Sequence, residues 1–173
     1  GTVRKVSVHV SGGLSLPTGY QRDCNVAFSA PFGNDGSFGI PLSAGFSANV
    51  GDDVKLGAVV DLLWLASKSK VRRLKTDLLQ SEYLLLTKGS VSLKPGLTMK
   101  ANLHATYRCS DSCKLSMSYQ YIQHEKDVIS RLPSGYDMAI VNSLKSLGAW
   151  YSQDLTIKAQ FEGFFGNLEG DER

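Results

Sequence analysis

Residues 97–108 read LTMKANLHATYR, and apolar and polar side chains alternate along them without a break. The odd positions from Leu97 to Tyr107 are apolar, whereas the even positions from Thr98 to Arg108 are polar. A helix repeats its apolar positions every three to four residues, and a strand with one apolar face repeats them every two. The stretch therefore predicts a long β-strand with one apolar and one polar face.

The same two-residue period recurs along most of the chain. It is found at 6–16, 24–32, 38–50, 54–64, 115–121 and 155–161. Between two of these runs, residues 51–53 (Gly-Asp-Asp) predict a tight turn and therefore a long hairpin. Pro41 interrupts one run and predicts a bulge or a sheet edge, because proline has no amide hydrogen to donate. Together these runs indicate an all-β fold.

Two stretches fit helical spacing at least as well as strand spacing. In 71–88 and again in 137–151, apolar residues recur at intervals of three or four. Spacing alone therefore leaves open whether each stretch forms a short loop helix or continues the strands.

The composition is that of one folded domain spanning residues 1–173. The chain is 42% hydrophobic and 20% charged, which argues against disorder. The formal net charge of +3 is small, so we expect no nucleic-acid partner. No run reaches the roughly 18 to 20 apolar residues of a membrane-spanning helix, so a closed β-barrel is the only form in which the chain could cross a bilayer.

The length of the alternating runs favours a membrane barrel. Strands of soluble proteins average about five or six residues. The runs here keep phase for roughly eleven to fourteen residues, as expected for a bilayer-crossing strand of about 9 to 11 residues with its flanks. The polar positions hold mainly Ser, Thr, Asn, Gln and Gly, which suits a narrow lumen better than a fully solvated surface.

Two stretches resemble a known class of protein. Residues 116–124 read SMSYQYIQH, and residues 155–165 form a run that ends on an aromatic residue, Phe165. Both are similar to strands of bacterial outer-membrane β-barrel proteins, whose closing strand ends on an aromatic residue. Such barrels also carry aromatic residues at both membrane interfaces. Four more aromatic residues near the ends of the runs fit this pattern: Trp64, Tyr107, Tyr119 and Tyr121.

The resemblance implies a fold, a setting and a role. The fold is an antiparallel up-and-down β-barrel of about eight or more strands, and the setting is the bacterial outer membrane, with the lipid bilayer as partner. The role is that of a passive channel, a structural element or a surface-interaction protein. The recognisable strands do not fix the barrel's size, so part of a larger barrel fits as well, and the oligomeric state stays open.

Alternation alone also fits two other kinds of protein. A secreted or periplasmic β-sandwich or β-barrel module, which binds a ligand or a partner protein through its loops, likewise places its apolar residues on one face. A small barrel enzyme acting on lipid would use a serine and a histidine. However, His9, His104 and His124 form no Ser-His-acid or metal-binding pattern, and no Gly-rich phosphate loop is present. We therefore expect no catalytic residues, no cofactor and no metal.

Charged residues predict two candidate sites. One set, on the polar faces, would line the lumen and either set its ion preference or pair and plug it. This set comprises Lys55, Asp61, Lys100, His104, Arg108, Lys158 and Glu162. The other set predicts either a solvated loop or an anion-binding loop for the phosphates of lipopolysaccharide or another anionic partner. It comprises Lys68, Lys70, Arg72, Arg73 and Lys75.

Two cysteines flank a predicted hairpin tip. Cys109 and Cys113 are separated by Ser-Asp-Ser, so a disulfide between them and a pair of thiols are both open. Cys24 is expected to be a small apolar strand residue.

Overall fold

The computed structural model describes residues 3–19, 23–25 and 34–161. Within them the strands are β1 Val3–Gly12, β2 Gly39–Val50, β3 Val54–Leu65, β4 Lys68–Leu74, β5 Thr87–Lys94, β6 Thr98–Ser110, β7 Cys113–His124, β8 Val128–Arg131 and β9 Trp150–Phe161. A helix, α1, spans Met138–Val141, and a 3₁₀ turn spans Lys145–Leu147. No helix among the described residues has the length and hydrophobicity that crossing a membrane requires. The predicted all-β class is confirmed.

Six long strands form one antiparallel sheet in the order β1-β2-β3-β6-β7-β9. Each pairs with the next long strand along the chain, as in an up-and-down meander. The predicted hairpin around 51–53 is confirmed, because Val50 pairs directly with Val54. The edge strands are β1 and β9, and the described residues show no pairing between them.

A second antiparallel sheet, in the order β4-β5-β8, encloses a small hydrophobic core together with the helical segments. The buried residues of this core are Leu74, Val91, Leu93, Ile129, Val141, Leu144 and Leu147. Only two residues separate β3 from β4, and three residues separate β5 from β6 and β7 from β8. This unit therefore adjoins one end of the long sheet. We call β4, β5, β8, α1 and the 3₁₀ turn the cap.

The two ends of the six-stranded sheet differ in their connections. Tight turns at 51–53 and 111–112 join strands at one end, which we call the turn end. The cap and the connection between β1 and β2 lie at the opposite end, the cap end. The turn end therefore has short connections between strands, and the cap end has long ones.

The two stretches that fitted helical spacing have different outcomes. Residues 71–88 form no helix: the stretch contains the end of β4 and the start of β5, with turns between them. Leu74 pairs with Thr87 and is buried in the core of the cap, so tertiary packing selects the extended conformation. Within 137–151 a helix does form, but it is only the four residues of α1, capped by the Asp137 side chain. Tyr151 belongs to β9 instead.

Pro41 lies inside β2 without a register shift, so of the two predicted alternatives, a bulge or a sheet edge, the bulge is wrong. Its carbonyl oxygen accepts a hydrogen bond from the Gly13 amide at 3.0 Å. Amide and carbonyl of one strand residue point to the same neighbour, so the missing N–H faces the chain just beyond Gly12, the last residue of β1. The proline therefore removes one hydrogen bond at the end of β1, and pairing resumes at the bridge between Ser15 and Gly39. Most of the predicted run 24–32 lies outside the described residues.

Candidate functional site: the two faces of the long sheet

The pairing register gathers the apolar positions of all six long strands onto one side, the apolar face. It comprises the even-numbered residues of 6–12, 40–50 and 54–64 and the odd-numbered residues of 99–107, 115–123 and 151–161. None of these residues is charged. Such a face is suited to contact with hydrocarbon, either of a protein core or of lipid.

The apolar face is exposed over the part of the chain that the structure describes. On the central strands, the exposed fractions are 50% for Phe46, 55% for Leu103 and 50% for Met117. The buried core of the cap includes no residue of this face. Six strands about 4.8 Å apart, with about ten residues each, present an area on the order of 900 Å². The largest apolar patch on a typical soluble monomer is only about 300–600 Å².

The opposite side, the polar face, is the more sheltered one. On the same central strands, Ser47, Thr106, Ser118 and Gln120 are half-buried. A hollow of about 540 Å³ opens on this side near the cap end. Residues from five strands, β1, β2, β3, β6 and β7, line this single hollow. A flat sheet would not bring five strands around one hollow, so the sheet curves around its polar face near the cap end.

Six of the seven predicted lumen residues share the polar face. The register aligns Asp61 directly with Lys100, and both line the hollow. Lys55 and Lys158 lie nearer the turn end. His104 and Arg108 also lie on the polar face, and Glu162 lies outside the described residues.

Arg108 is fixed by the neighbouring hairpin at the turn end. Its Nε donates to Asp53 Oδ1 at 3.3 Å, and a terminal nitrogen donates to the Asp52 carbonyl at 3.0 Å. The Arg108 side chain is therefore occupied by the β2–β3 turn.

Two histidines of the polar face lie over glycines of the adjacent strand. His104 pairs with Gly57, and a Cβ on Gly57 would come within 2.4 Å of the His104 Cε1 atom. His9 pairs with Gly45, and a Cβ there would meet His9 Cε1 at the same distance. Glycine in mid-strand is unfavourable unless a close neighbour requires it. Here the rings need the space, and they cover the backbone that glycine leaves open.

A hydrogen-bonded cluster at the cap end escaped the sequence analysis. Thr98 Oγ1 and His124 Nδ1 are 2.8 Å apart, and His124 Nε2 is 3.1 Å from Asp127 Oδ1. The same Asp127 oxygen accepts the Gly96 amide at 2.7 Å, and the Trp150 ring stacks on the imidazole at 5.6 Å. Thr98 and His124 are cross-strand partners. The register of the β6–β7 hairpin, counted from its tip, could have found this pair.

The Asp127 carboxylate is expected to hold the cap end of β6 and β7 in place. Replacing Asp127 by alanine removes the acceptor of both the Gly96 amide and the His124 ring, and should lower the free energy of unfolding by about 1–3 kcal/mol. Urea unfolding followed by tryptophan fluorescence would measure the loss, because Trp150 stacks on His124. Asp154→Ala on the exposed edge strand is the matched control. Equal stability of the two variants would contradict the assigned role.

Four of the five residues of the predicted anion-binding cluster lie on strand β4 and Lys75 directly follows it, and most of the cluster's charges have partners inside the protein. Lys68 bonds the Asp35 carbonyl, and Lys70 bonds the Asp35 carboxylate. Arg73 donates to the carbonyls of Cys24 and Leu85, each at 2.8 Å. Anion binding by this segment stays a prediction.

Within the basic cluster, Lys70 has a perturbed pKa. Burial lowers the pKa of Lys70 below its ordinary value, and the hydrogen bond to Asp35 offsets part of that shift. Lys75 is buried as well. Arg72, the remaining member, also lies on β4, so the segment is built into the cap rather than displayed as a mobile basic loop.

Comparison of the sequence with protein-family models and with curated proteins gives no match. The function of the chain is therefore inferred from its geometry.

Aromatic residues mark both ends of the apolar face. Trp64 and Tyr151 lie at the cap end, and Tyr107 and Phe161 lie at the turn end. Phe161 follows Tyr151 by ten positions on β9, which is about 34 Å along the strand and about 26 Å at a tilt of about 40°. The apolar band of membrane barrels is about 25 Å tall. Of the other predicted aromatics, Tyr121 stacks on Tyr151, Tyr119 is central, and Phe165 lies outside the described residues.

The predicted hairpin tip between Cys109 and Cys113 is confirmed, and the two thiols are close enough to interact. Both are present as free thiols in this structure. We expect them to form a disulfide in an oxidising compartment, since three residues at a tight turn separate them. Mass spectrometry after oxidation and alkylation should show Cys24 alkylated and the other two linked. Cys113→Ser should leave Cys109 alkylated, whereas alkylation of all three cysteines in the oxidised wild type would exclude the disulfide.

Proposed function

We propose that this chain forms the wall of a bacterial outer-membrane β-barrel, with a passive channel, structural or surface-interaction role. The observation that carries the proposal is the pairing of two properties in one sheet. Its apolar face is exposed and contains no charged residue, and the sheet curves around its polar face. In a membrane barrel the apolar face points outward to lipid and the polar face encloses the lumen.

The soluble alternative requires the reverse arrangement. A β-sandwich buries its apolar face against a second sheet, and a soluble ligand-binding barrel buries it in the interior. Here the hollow is on the polar side, and the second sheet has its own separate core in the cap. Burying an apolar side chain of Leu or Phe size contributes about 1.5–3 kcal/mol. Lipid contact is the environment that this exposed surface needs.

The asymmetry of the two ends also supports the proposal. Membrane barrels have short periplasmic turns on one side and longer extracellular loops on the other. The two tight turns of the long sheet share one end, and the cap lies at the other. On this proposal the turn end faces the periplasm and the cap faces the outside.

Closure of the barrel requires strands beyond the six described. About eight strands give an interior just wide enough for side chains to fill. The polar face carries large side chains such as His104, Gln120 and Trp150, which a six-stranded barrel would not hold. Because the long sheet has an even number of antiparallel strands, its edges β1 and β9 run in opposite directions. Any closure that adds an even number of strands keeps every pair antiparallel, as membrane barrels require.

The proposal is tested by asking whether the chain folds only in detergent or lipid, or also in buffer alone. We expect the purified chain to require detergent and to refold into phospholipid vesicles. On a gel, the unboiled folded chain should migrate to a different position from the boiled unfolded chain. A chain that is folded and monodisperse in buffer without detergent would overturn the proposal and favour the soluble module.

A second candidate function has one specific observation in its favour, the Thr98-His124-Asp127 chain of hydroxyl, imidazole and carboxylate beside the hollow. In an ester hydrolase of this kind, Thr98 Oγ1 would attack the ester carbonyl while its proton passes to His124 Nδ1 and then to the leaving alcohol. Water would afterwards release the acyl group as the acid. Hydrolysis of a phospholipid ester that Thr98→Ala abolishes and Thr98→Ser retains, with Thr106→Ala as control, would support it. No hydrolysis by the wild type would exclude it.

A further inference from the structure

We propose that the lumen enclosed by the polar face selects anions over cations. This inference rests on the proposed function, because it needs the polar face to surround a water-filled path. It goes further by naming the class of solute that the path favours. The observation behind it is the unequal distribution of charge between basic and acidic residues on that face.

The register assigns the charged residues of the long strands that have cross-strand partners to one face or the other. Six basic residues lie on the polar face: Lys5, Lys55, Lys100, Arg108, Lys114 and Lys158. Two acidic residues lie there, Asp61 and Asp154. The formal charge of the described polar face is therefore clearly positive, although the whole chain carries only +3.

The acidic residues do not cancel this excess evenly. Asp61 lies opposite Lys100 near the cap end, and Asp53 of the turn bonds Arg108. The other basic positions have different surroundings. Lys5, Lys55 and Lys158 share one register row across the sheet, and the other residues of that row are Asn49, Thr106 and Ser116. No acidic residue occurs in the row.

A row that holds three lysines and no acidic residue creates a positive potential in a narrow, low-dielectric path. Charged side chains that line a pore determine which ions enter, and lysine or arginine linings favour anions. Thr106 and Ser116, the small neutral residues of the row, are joined to each other by a hydrogen bond at 3.3 Å. The charges of this row are therefore those of the lysine ammonium groups. The substrate class that fits is small hydrophilic anions.

The experiment measures the reversal potential of the refolded chain in a planar lipid bilayer under a gradient of potassium chloride. These two ions have similar mobilities in water, so the sign of the potential reports the lining of the path. We expect chloride to permeate several-fold better than potassium. The double variant Lys55→Glu/Lys158→Glu should reverse the preference, and Lys55→Gln/Lys158→Gln should reduce it. Lys94→Glu, on β5 of the cap, is the matched control and should leave the potential unchanged.

The outcomes separate this inference from the proposed function. A channel that prefers potassium, or whose reversal potential does not respond to the two lysine variants, would overturn the anion inference. It would not contradict the proposed barrel. The same holds for a chain that inserts and shows the gel shift on boiling but conducts no current, since its lumen would be plugged. A chain that folds without detergent and does not insert would overturn both. The gel shift also verifies that each variant folds before its potential is interpreted.

Discussion

Replacement of Leu103 by arginine should lower the free energy of unfolding in phospholipid vesicles by about 2–4 kcal/mol, the range for a basic residue at the bilayer midplane. Leu103 lies on the central strand β6, opposite Ala58 and Tyr119, and points from the apolar face. Its exposed position means that no protein neighbour has to move to admit the larger side chain. The expected loss therefore comes from placing a charge in hydrocarbon, and urea titration of the refolded variant would measure it.

Asn102→Arg is the matched control for this substitution. Asn102 is the preceding residue and lies on the polar face, so its arginine would point away from the apolar face and should lower the free energy of unfolding much less. If both variants are equally stable in vesicles, the apolar face does not contact lipid. If Leu103→Arg is strongly destabilising in buffer without lipid, the face is buried in a protein core instead.

Replacement of Ile129 by alanine should destabilise the cap by about 2–5 kcal/mol, the usual range for an isoleucine truncated in a core. Ile129 is 1% exposed, and it belongs to the seven-residue core of the cap. Its backbone is held as well: the amide donates to Asn142 Oδ1 at 2.8 Å, and the carbonyl accepts from Asn142 Nδ2 at 3.0 Å. A core this small has few other contacts to compensate for the cavity.

Hydrogen exchange would locate the effect of Ile129→Ala. We expect the amides of β5 and β8 to lose protection while those of β6 and β7 keep theirs, because the cap has its own core. Val128→Ala removes a neighbouring apolar side chain that is 41% exposed, and it should change little. Unchanged protection of the cap in Ile129→Ala, or an equal loss throughout the long sheet, would contradict a separately stabilised cap.

The long strands were predictable because alternation is a local property. The runs at 38–50, 54–64 and 97–108 correspond to β2, β3 and β6 with small differences at their ends. The stretch 71–88 was ambiguous for a physical reason: its conformation depends on β5, which pairs with β4, and on the cap core that receives Leu74. Neither partner is visible in the spacing of the stretch.

The candidate sites divide in the same way. The shared polar face of Lys55, Asp61, Lys100 and Lys158 was predictable from parity, because every second residue of a strand faces the same side. For the Thr98-His124-Asp127 cluster, the hairpin register could have paired Thr98 with His124, but the position of Asp127 depends on a turn that carries it back to Gly96. The basic cluster was visible in the sequence, but its internal partners, such as Asp35 for Lys70, are distant along the chain.

The two-residue period is sufficient to predict an all-β chain and to indicate which side chains share a face, because this period follows from the geometry of an extended backbone. The three-dimensional fold is needed to show that the apolar face is exposed, that the sheet curves around its polar face near the cap end, and that the tight turns and the cap lie at opposite ends. Those features depend on hydrogen bonds and packing between strands that are far apart along the chain. No local pattern of residues encodes them.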